Sequence, residues 1–251
     1  MANECIFCGK PAGSREHIWP QWVLARKDFG PFRLKRAGVP DVILNGTELT
    51  TKRVCKACNS GWMSDLEGKV KPILEPMFDG RTFALDLEQQ RLIAVWVAKM
   101  AFLWDSTKGR NADNAFFSKS EGVALAKHYK IPDLTSIWLG RIDEPHRVAD
   151  GYDFTLDFPP NRVGGGSCVT LLNESFVAQM LSFRFKEIPS GLAGFNLPVK
   201  GGDWNNLLVQ IEPQSAPVIH WPPPGTFSPL GYSELMDRWR TGTKVDKIIH
   251  S

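Results

Sequence analysis

The chain has 251 residues, 43% of them hydrophobic and 23% charged. That balance excludes a disordered or fibrous polymer and provides enough apolar mass for one large core or two modest ones. The formal net charge of +3 is too small to require a polyanionic partner and too positive to exclude one.

No run reaches the roughly 18 to 20 apolar residues that a membrane-spanning helix needs, and the start MANECIFCGK lacks the basic and apolar regions of a secretory signal. The expected location is therefore cytoplasmic, with no membrane partner. Cysteine usage points the same way. Four of the five cysteines stand in Cys-x-x-Cys pairs, Cys5/Cys8 and Cys55/Cys58, and a reducing compartment keeps such thiols available for metal. Cys168 lies in an apolar run and reads as a buried thiol.

In chain order, residues 1–78 predict a small unit stapled by metal, because their apolar runs are short. The segment Pro20-Gln21-Trp22-Val23-Leu24 suits a helical turn. Asn45-Gly46, between Val42-Ile43-Leu44 and Thr47-Glu48-Leu49-Thr50, predicts a tight hairpin. Residues 59–74 then predict a helix, with Asn59 as its N-cap, Ser64 and Glu67 as a capping box, and Pro72 and Pro76 limiting its length.

Residues 79–251 predict a mixed α+β unit. Asp86 and Gln89 read as a capping box that opens a core helix carrying Ile93, Trp96, Val97, Met100, Phe102, Leu103 and Trp104. Ser118 and Glu121 open another helix, which ends before Pro132. From residue 135 the pattern turns to strands, with alternation in Phe154, Leu156 and Phe158, and with Gly164-Gly165-Gly166 and Gly201-Gly202 as turns or loops. Trp221-Pro222-Pro223-Pro224-Gly225 links to a last short helix around Ser233 to Trp239. The tryptophans of this half, Trp96, Trp104, Trp138, Trp204, Trp221 and Trp239, are expected mostly in the core, and the histidines His128, His146, His220 and His250 have no ligand spacing.

The expected fold class is thus α+β: a zinc-stapled ββα unit over 1–78, then a mixed α+β unit over 79–251. Target selection, assembly or sensing is the expected role of the second unit.

The chemistry is concentrated in the first unit. Two Cys-x-x-Cys pairs separated by 46 residues have the form of two knuckles presenting four thiolates to one zinc ion at about 2.3 Å. Such a saturated site is structural, so reactivity must come from its neighbours. Between the pairs stands Glu16-His17, and directly after Cys58 stands Asn59. A neutral imidazole with an ordinary pKa of about 6.5 can take a proton from water, as attack on a phosphodiester requires. A carboxylate and an amide oxygen can hold a hard cation such as Mg²⁺ or Mn²⁺. Read plainly, His17 is a hydrogen-bonded core residue, Asn59 a helix cap and Glu67 the capping partner of Ser64. Arg15, Arg33, Lys35, Arg36, Lys52, Arg53 and Lys56 are either phosphate contacts or a solvated basic face.

The segments Cys5-Ile6-Phe7-Cys8-Gly9, Arg15-Glu16-His17-Ile18-Trp19-Pro20 and Val54-Cys55-Lys56-Ala57-Cys58-Asn59 resemble the HNH endonucleases of the ββα-metal type that carry a four-cysteine structural zinc. The resemblance covers about the first 70 residues. It implies that His17 is the general base, that Glu16 takes the metal-binding acid position, and that Asn59 takes the final metal-binding position. Two departures are visible: Glu16 stands where many members have Asp, and Thr50, Thr51 or Lys52 stands where the middle Asn is usual. The function implied is metal-dependent hydrolysis of DNA, with RNA as an alternative substrate. A catalytically decayed, zinc-stapled nucleic-acid-binding or interaction module is the competing expectation.

Overall fold

The computed structural model describes residues 3–30, 32–36, 39–44, 49–107, 115–158, 161–185 and 204–237, with side chains described outside 32–44, 156–163 and 204–205. The chain is α+β, as expected. It begins with β1 (Ser14–His17), the short helix α1 (Gln21–Leu24), and the strands β2 (Phe32–Arg36), β3 (Val39–Leu44) and β4 (Thr50–Val54). β1 pairs antiparallel with β4, with Glu16 opposite Thr51 and His17 opposite Thr50.

The hairpin expected across Asn45-Gly46 turns on residues 45–48, which lie outside the described residues. β3 pairs with β2, placing Phe32 opposite Leu44 and Leu34 opposite Val42. β4 is taken by β1, a partner more than thirty positions earlier, because that pairing brings the two cysteine pairs together.

After β4 the chain turns helical sooner than Asn59. A single turn, α2 (Lys56–Cys58), is capped by Cys55, whose Sγ accepts from the Cys58 N–H at 3.4 Å. It runs over Asn59–Met63 through a kink at Gly61 (φ −101°, ψ −115°) into α3 (Ser64–Phe78). Asn59 therefore sits inside helical backbone, not at an N-cap. Ser64 likewise follows helical residues, so no terminus exists there for a capping box to close. Pro72 and Pro76 do not end α3 but lie within it. Spaced four apart, both remove their N–H groups from one side of the helix, where the missing bonds can be met by solvent.

β5 (Phe83–Asp86) leads into α4 (Leu87–Asp105), which opens with the expected Asp86/Gln89 capping box. α4 is buried around nearly its whole circumference from Ile93 to Asp105, the behaviour of a helix with apolar residues on every side. α5 (Lys119–His128) opens with the expected Ser118/Glu121 box and ends at Tyr129 in a left-handed conformation, φ 52°.

Two long strands follow, β6 (Thr135–Phe158) and β7 (Asn161–Phe185), in an antiparallel ribbon that starts with Phe158 opposite Asn161. Its register breaks where Arg141 faces Phe176 but His146 faces Glu174, and Glu174 has φ 55°. Beyond that break the ribbon doubles back, so that Gln179 donates to Thr170 Oγ1 at 2.9 Å and Cys168 packs with Leu181 and Phe183. Gly164, Gly165 and Gly166 are part of β7 and form no turn. Gly166 is needed because the ring of Phe154 lies across it: a Cβ there would stand 2.2 Å from that ring.

The chain closes with α6 (Trp204–Leu207), β8 (Leu208–Glu212), β9 (Val218–Trp221) and α7 (Pro229–Asp237). β8 joins the ribbon in the order β7-β6-β8, and β9 pairs with β5. Gly201, Gly202, Trp204's side chain, Trp239 and His250 fall outside the described residues. Trp96, Trp104 and Trp221 are buried, as expected.

One apolar cluster runs from Phe7, Val23 and Val54 through Leu66, Leu74 and Phe78 to Ile93–Trp104, Ile137, Leu171 and Trp221. The segments on either side of residue 78 therefore share packing. Arg26 reinforces the junction, reaching Asp79 at 2.6 Å and Glu174 at 2.7 Å while lying over the Phe78 ring. Arg147 donates to the Val23 carbonyl and to Asn173 Oδ1, both at 2.8 Å.

Candidate metal centre and the adjoining polar cluster

The first knuckle is a tight turn. Gly9 N–H donates to the Cys5 carbonyl, Cys5 N–H donates to the Lys10 carbonyl, and Gly9 has φ 73°, a conformation that favours glycine. Ile6 N–H donates to the Arg53 carbonyl at 3.0 Å, which fixes this turn against β4. Phe7 is fully buried between Trp62, 4.9 Å away edge-on, and Phe102, 6.0 Å away. α5 closes over the same turn, and Gly122 allows it: a Cβ there would meet the Ile6 carbonyl oxygen at 2.0 Å.

The two knuckles bring Cys5, Cys8, Cys55 and Cys58 together with their Sγ atoms all within 4.8 Å of one another. Cys8 and Cys55 Sγ lie 3.5 Å apart, far beyond the length of about 2.05 Å for a disulfide and close to the separation of about 3.8 Å that a tetrahedral ion with 2.3 Å bonds imposes. This donor set can hold a metal ion such as zinc. Burial raises the thiols of Cys5 and Cys58. Burial acts on Cys55 in the same sense, but the Cys58 N–H and the surrounding thiols outweigh it and bring Cys55 down to about 7.

Glu16 and Asn59 meet beside this centre. Asn59 Nδ2 donates to Ser14 Oγ at 3.0 Å, on the strand that carries Glu16. Glu16 is only 8% exposed. Burial pushes its carboxyl above the ordinary value of 4.5, with Lys99 opposing, Glu67 adding to the rise and Asn59 opposing. His17, the next residue along the strand, is half-buried. Burial, and then Arg15, lower its imidazole below 6.5. Among the described residues the His17 imidazole has no side-chain hydrogen bond, and Arg15 is exposed with its Nε donating to Thr50 Oγ1 at 3.4 Å.

Two members of the cluster were not expected there. Glu67 is neither a capping residue nor isolated: it pairs with the Lys99 ammonium, and Lys99 is fully buried. Lys99 lies on α4, more than eighty positions from Glu16. The sequence signal for it is a single charge in the otherwise apolar run Ile93 to Trp104. Thr51 is buried, accepts from the Arg53 N–H at 3.2 Å, and hydrogen-bonds Ser106 Oγ at 2.9 Å. It thereby ties β4 to the end of α4.

Of the basic residues, Lys52 and Lys56 are exposed and Arg53 is half-buried. Arg33, Lys35 and Arg36 lie on β2, and their side chains fall outside the described residues. Among the described residues no helix is long and apolar enough to cross a membrane.

The raised carboxyl of Glu16 carries a stability consequence. A group whose folded pKa is raised stabilises the fold below its unfolded value and loses that contribution as pH rises through the folded value. Ionised Glu16 therefore weakens the cation-free protein near neutral pH. Glu16→Gln is expected to unfold at a higher temperature than wild type at pH 7 without divalent cation, with the gap narrowing from pH 8 towards pH 5. Thermal unfolding across that range measures it, and a lower midpoint for the variant at pH 7 would contradict the assignment of burial as the dominant cause.

Compared with protein-family models, with curated proteins and with solved structures, the chain matches none.

Proposed function

We propose that the first unit is a metal-dependent endonuclease site of the HNH type, acting on phosphodiester bonds in DNA. The observation that carries this reading is the tie between Asn59 and β1: directly after Cys58 of the four-cysteine centre, Asn59 Nδ2 donates to Ser14 Oγ at 3.0 Å, on the strand that carries Glu16. An antiparallel strand pair followed by a helix, with an acid from the strand meeting an amide from the helix, supports the ββα-metal arrangement that the motifs resemble.

In this reading zinc in the four-cysteine centre is structural, since four thiolates leave it no open position. The oxygen donors of Glu16 and Asn59 are of the kind that suits Mg²⁺ or Mn²⁺, and such an ion supplies charge stabilisation for the scissile phosphate. His17 takes the proton from the attacking water. Its depressed pKa keeps it neutral, and so able to accept, at physiological pH. The exposed Lys52 and Lys56 and the nearby Arg15 are placed to contact phosphates, which steers a polyanion towards the site.

A decayed, zinc-stapled nucleic-acid-binding module is the second reading, favoured by the Lys99 ammonium at the carboxylate cluster and by the absent middle Asn. Incubation of the zinc-loaded protein with supercoiled plasmid separates the two. Endonuclease activity converts the plasmid to nicked and linear forms with Mg²⁺ or Mn²⁺ and stops with chelation of the divalent ion. Retarded but uncut plasmid with either cation would favour the binding module. A structured RNA cut in preference to the plasmid would move the substrate from DNA to RNA.

A further inference from the structure

α4 lies along the first unit through one stripe of side chains. Trp96 meets Trp19 at 6.2 Å, Lys99 pairs with Glu67, Phe102 lies 6.0 Å from Phe7, and Ser106 Oγ bonds Thr51 Oγ1 at 2.9 Å. Positions 96, 99, 102 and 106 are three or four apart, so they share a helix face. That face covers the candidate site from Trp19 past Glu67 to the residue opposite Glu16 on β4. Three of these contacts are apolar or neutral; the fourth delivers a full positive charge.

Lys99 is fully buried, whereas its partner Glu67 keeps 20% of its side chain exposed. A lysine in such a place is costly unless its charge is used, because desolvating an ammonium is compensated only by carboxylates held close. Glu67 is bonded to it directly, and Glu16, itself 8% exposed, feels its charge. The cluster thus holds two carboxylates, one amide and one built-in cation. Its charge is already half neutralised before any divalent ion arrives.

We propose that Lys99 is the resident counter-cation of the Glu16, Asn59 and Glu67 cluster and that it opposes a divalent ion there, setting how tightly the ion binds. The second half of the chain then acts on the site by the charge it inserts through α4. A helix that shifts along the face of the first unit would change ion affinity without touching a ligand. This rests on Glu16 and Asn59 being the ligands of that ion. If Lys99 served only to tie α4 to α3 through Glu67, its charge would be without effect on ion binding at Glu16.

The test is Mn²⁺ binding to the zinc-loaded full chain, read from the electron paramagnetic resonance of the free ion, with no substrate present. Wild type is expected to bind one Mn²⁺ that Glu16→Gln loses. Lys99→Met should bind it about tenfold or more tightly, because one like charge has left a poorly screened site. Lys99→Gln, which keeps a donor for Glu67, repeats the measurement should the methionine variant fail to fold. Tighter Mn²⁺ in either neutral variant, still lost on adding Glu16→Gln, supports the proposal, including where wild type itself binds none; that last outcome would also count against the nuclease reading. Unchanged or weaker Mn²⁺ in both neutral variants, with wild-type binding still dependent on Glu16, overturns the proposal and leaves the nuclease reading standing. Absence of any Glu16-dependent Mn²⁺ from all of the proteins overturns both.

Discussion

Cys58→Ser is expected to release the zinc and unfold the first unit. A hydroxyl is a poor replacement for a thiolate, and the free energy at stake is large: structural zinc contributes roughly 10 to 16 kcal/mol in zinc-finger peptides, as much as the whole stability of about 5 to 15 kcal/mol typical of a folded protein. The consequence extends beyond the metal. Cys58 directly precedes Asn59, so the same loss frees the amide that bonds Ser14 on β1. Phe7, held between Trp62 and Phe102, would lose the turn that fixes it. Zinc content by atomic emission should fall from one per chain to near zero, and the thermal midpoint should drop by tens of degrees or the protein should be recovered only in aggregates. Retained zinc with an unchanged midpoint would remove the structural role of the centre.

The shared core explains why such a loss cannot stay local. Val54 and Leu66 belong to the same cluster as Trp96 and Leu171, and Gly122 brings α5 against the Ile6 carbonyl. Unfolding the knuckles exposes one side of α4, whose residues from Ile93 to Asp105 are buried. A buried helix of this kind has no solvent-compatible face to fall back on. A metal held by the four cysteines would be anchored in that core directly, because Cys5, Cys55 and Cys58 are members of the cluster.

Features set by a few neighbouring residues were legible from the sequence. The capping boxes at Asp86/Gln89 and Ser118/Glu121 each need only four consecutive positions and a following helix, and both formed. The four cysteines were legible for a related reason, since a Cys-x-x-Cys turn builds half of a donor set by itself. The same local rule failed at Asn59 and at Ser64-x-x-Glu67, where helical backbone already begins at Lys56, so neither position is a terminus. The pairing of β4 with β1 joins strands more than thirty positions apart, a partner that no local turn signal in the sequence names. Gly164 to Gly166 suggested a turn, yet the need there is room for the Phe154 ring across the ribbon. Lys99 was the costliest omission. Its partner is thirty-two positions away, and nothing in the spacing of a lone lysine within α4 says which carboxylates it will meet.

The distribution of jobs within the first unit follows from its connectivity. β1 carries Glu16 and His17 on successive residues, and successive residues of a strand point to opposite faces. Glu16 is accordingly buried against Asn59, and His17 is half-buried towards the more open side. A break in register between Ser14 and Glu16 lies immediately before them, and bulges of this kind re-aim side chains next to active sites. In the proposed nuclease, Glu16 would hold the ion on the buried side and His17 would meet water on the other, the division a hydrolytic site requires.

The central claim is that this chain cuts DNA with His17 as its base, and the comparison of wild type with His17→Ala on plasmid DNA tests it most directly. General-base catalysis contributes about 10² to 10⁴-fold, so the variant should lose that much cleavage with Mg²⁺ or Mn²⁺. It should keep one zinc per chain and the wild-type thermal midpoint, because the imidazole is not part of the four-cysteine cluster and has no side-chain hydrogen bond among the described residues. The pH profile of the wild type adds a signature. With His17 lowered by burial and by Arg15, cleavage should rise with pH through a midpoint below about 6.5 and the variant should lose that rise. Wild-type cleavage reduced by two orders of magnitude or more in His17→Ala, at constant zinc, is the result this account predicts; equal cleavage by the two proteins would contradict it.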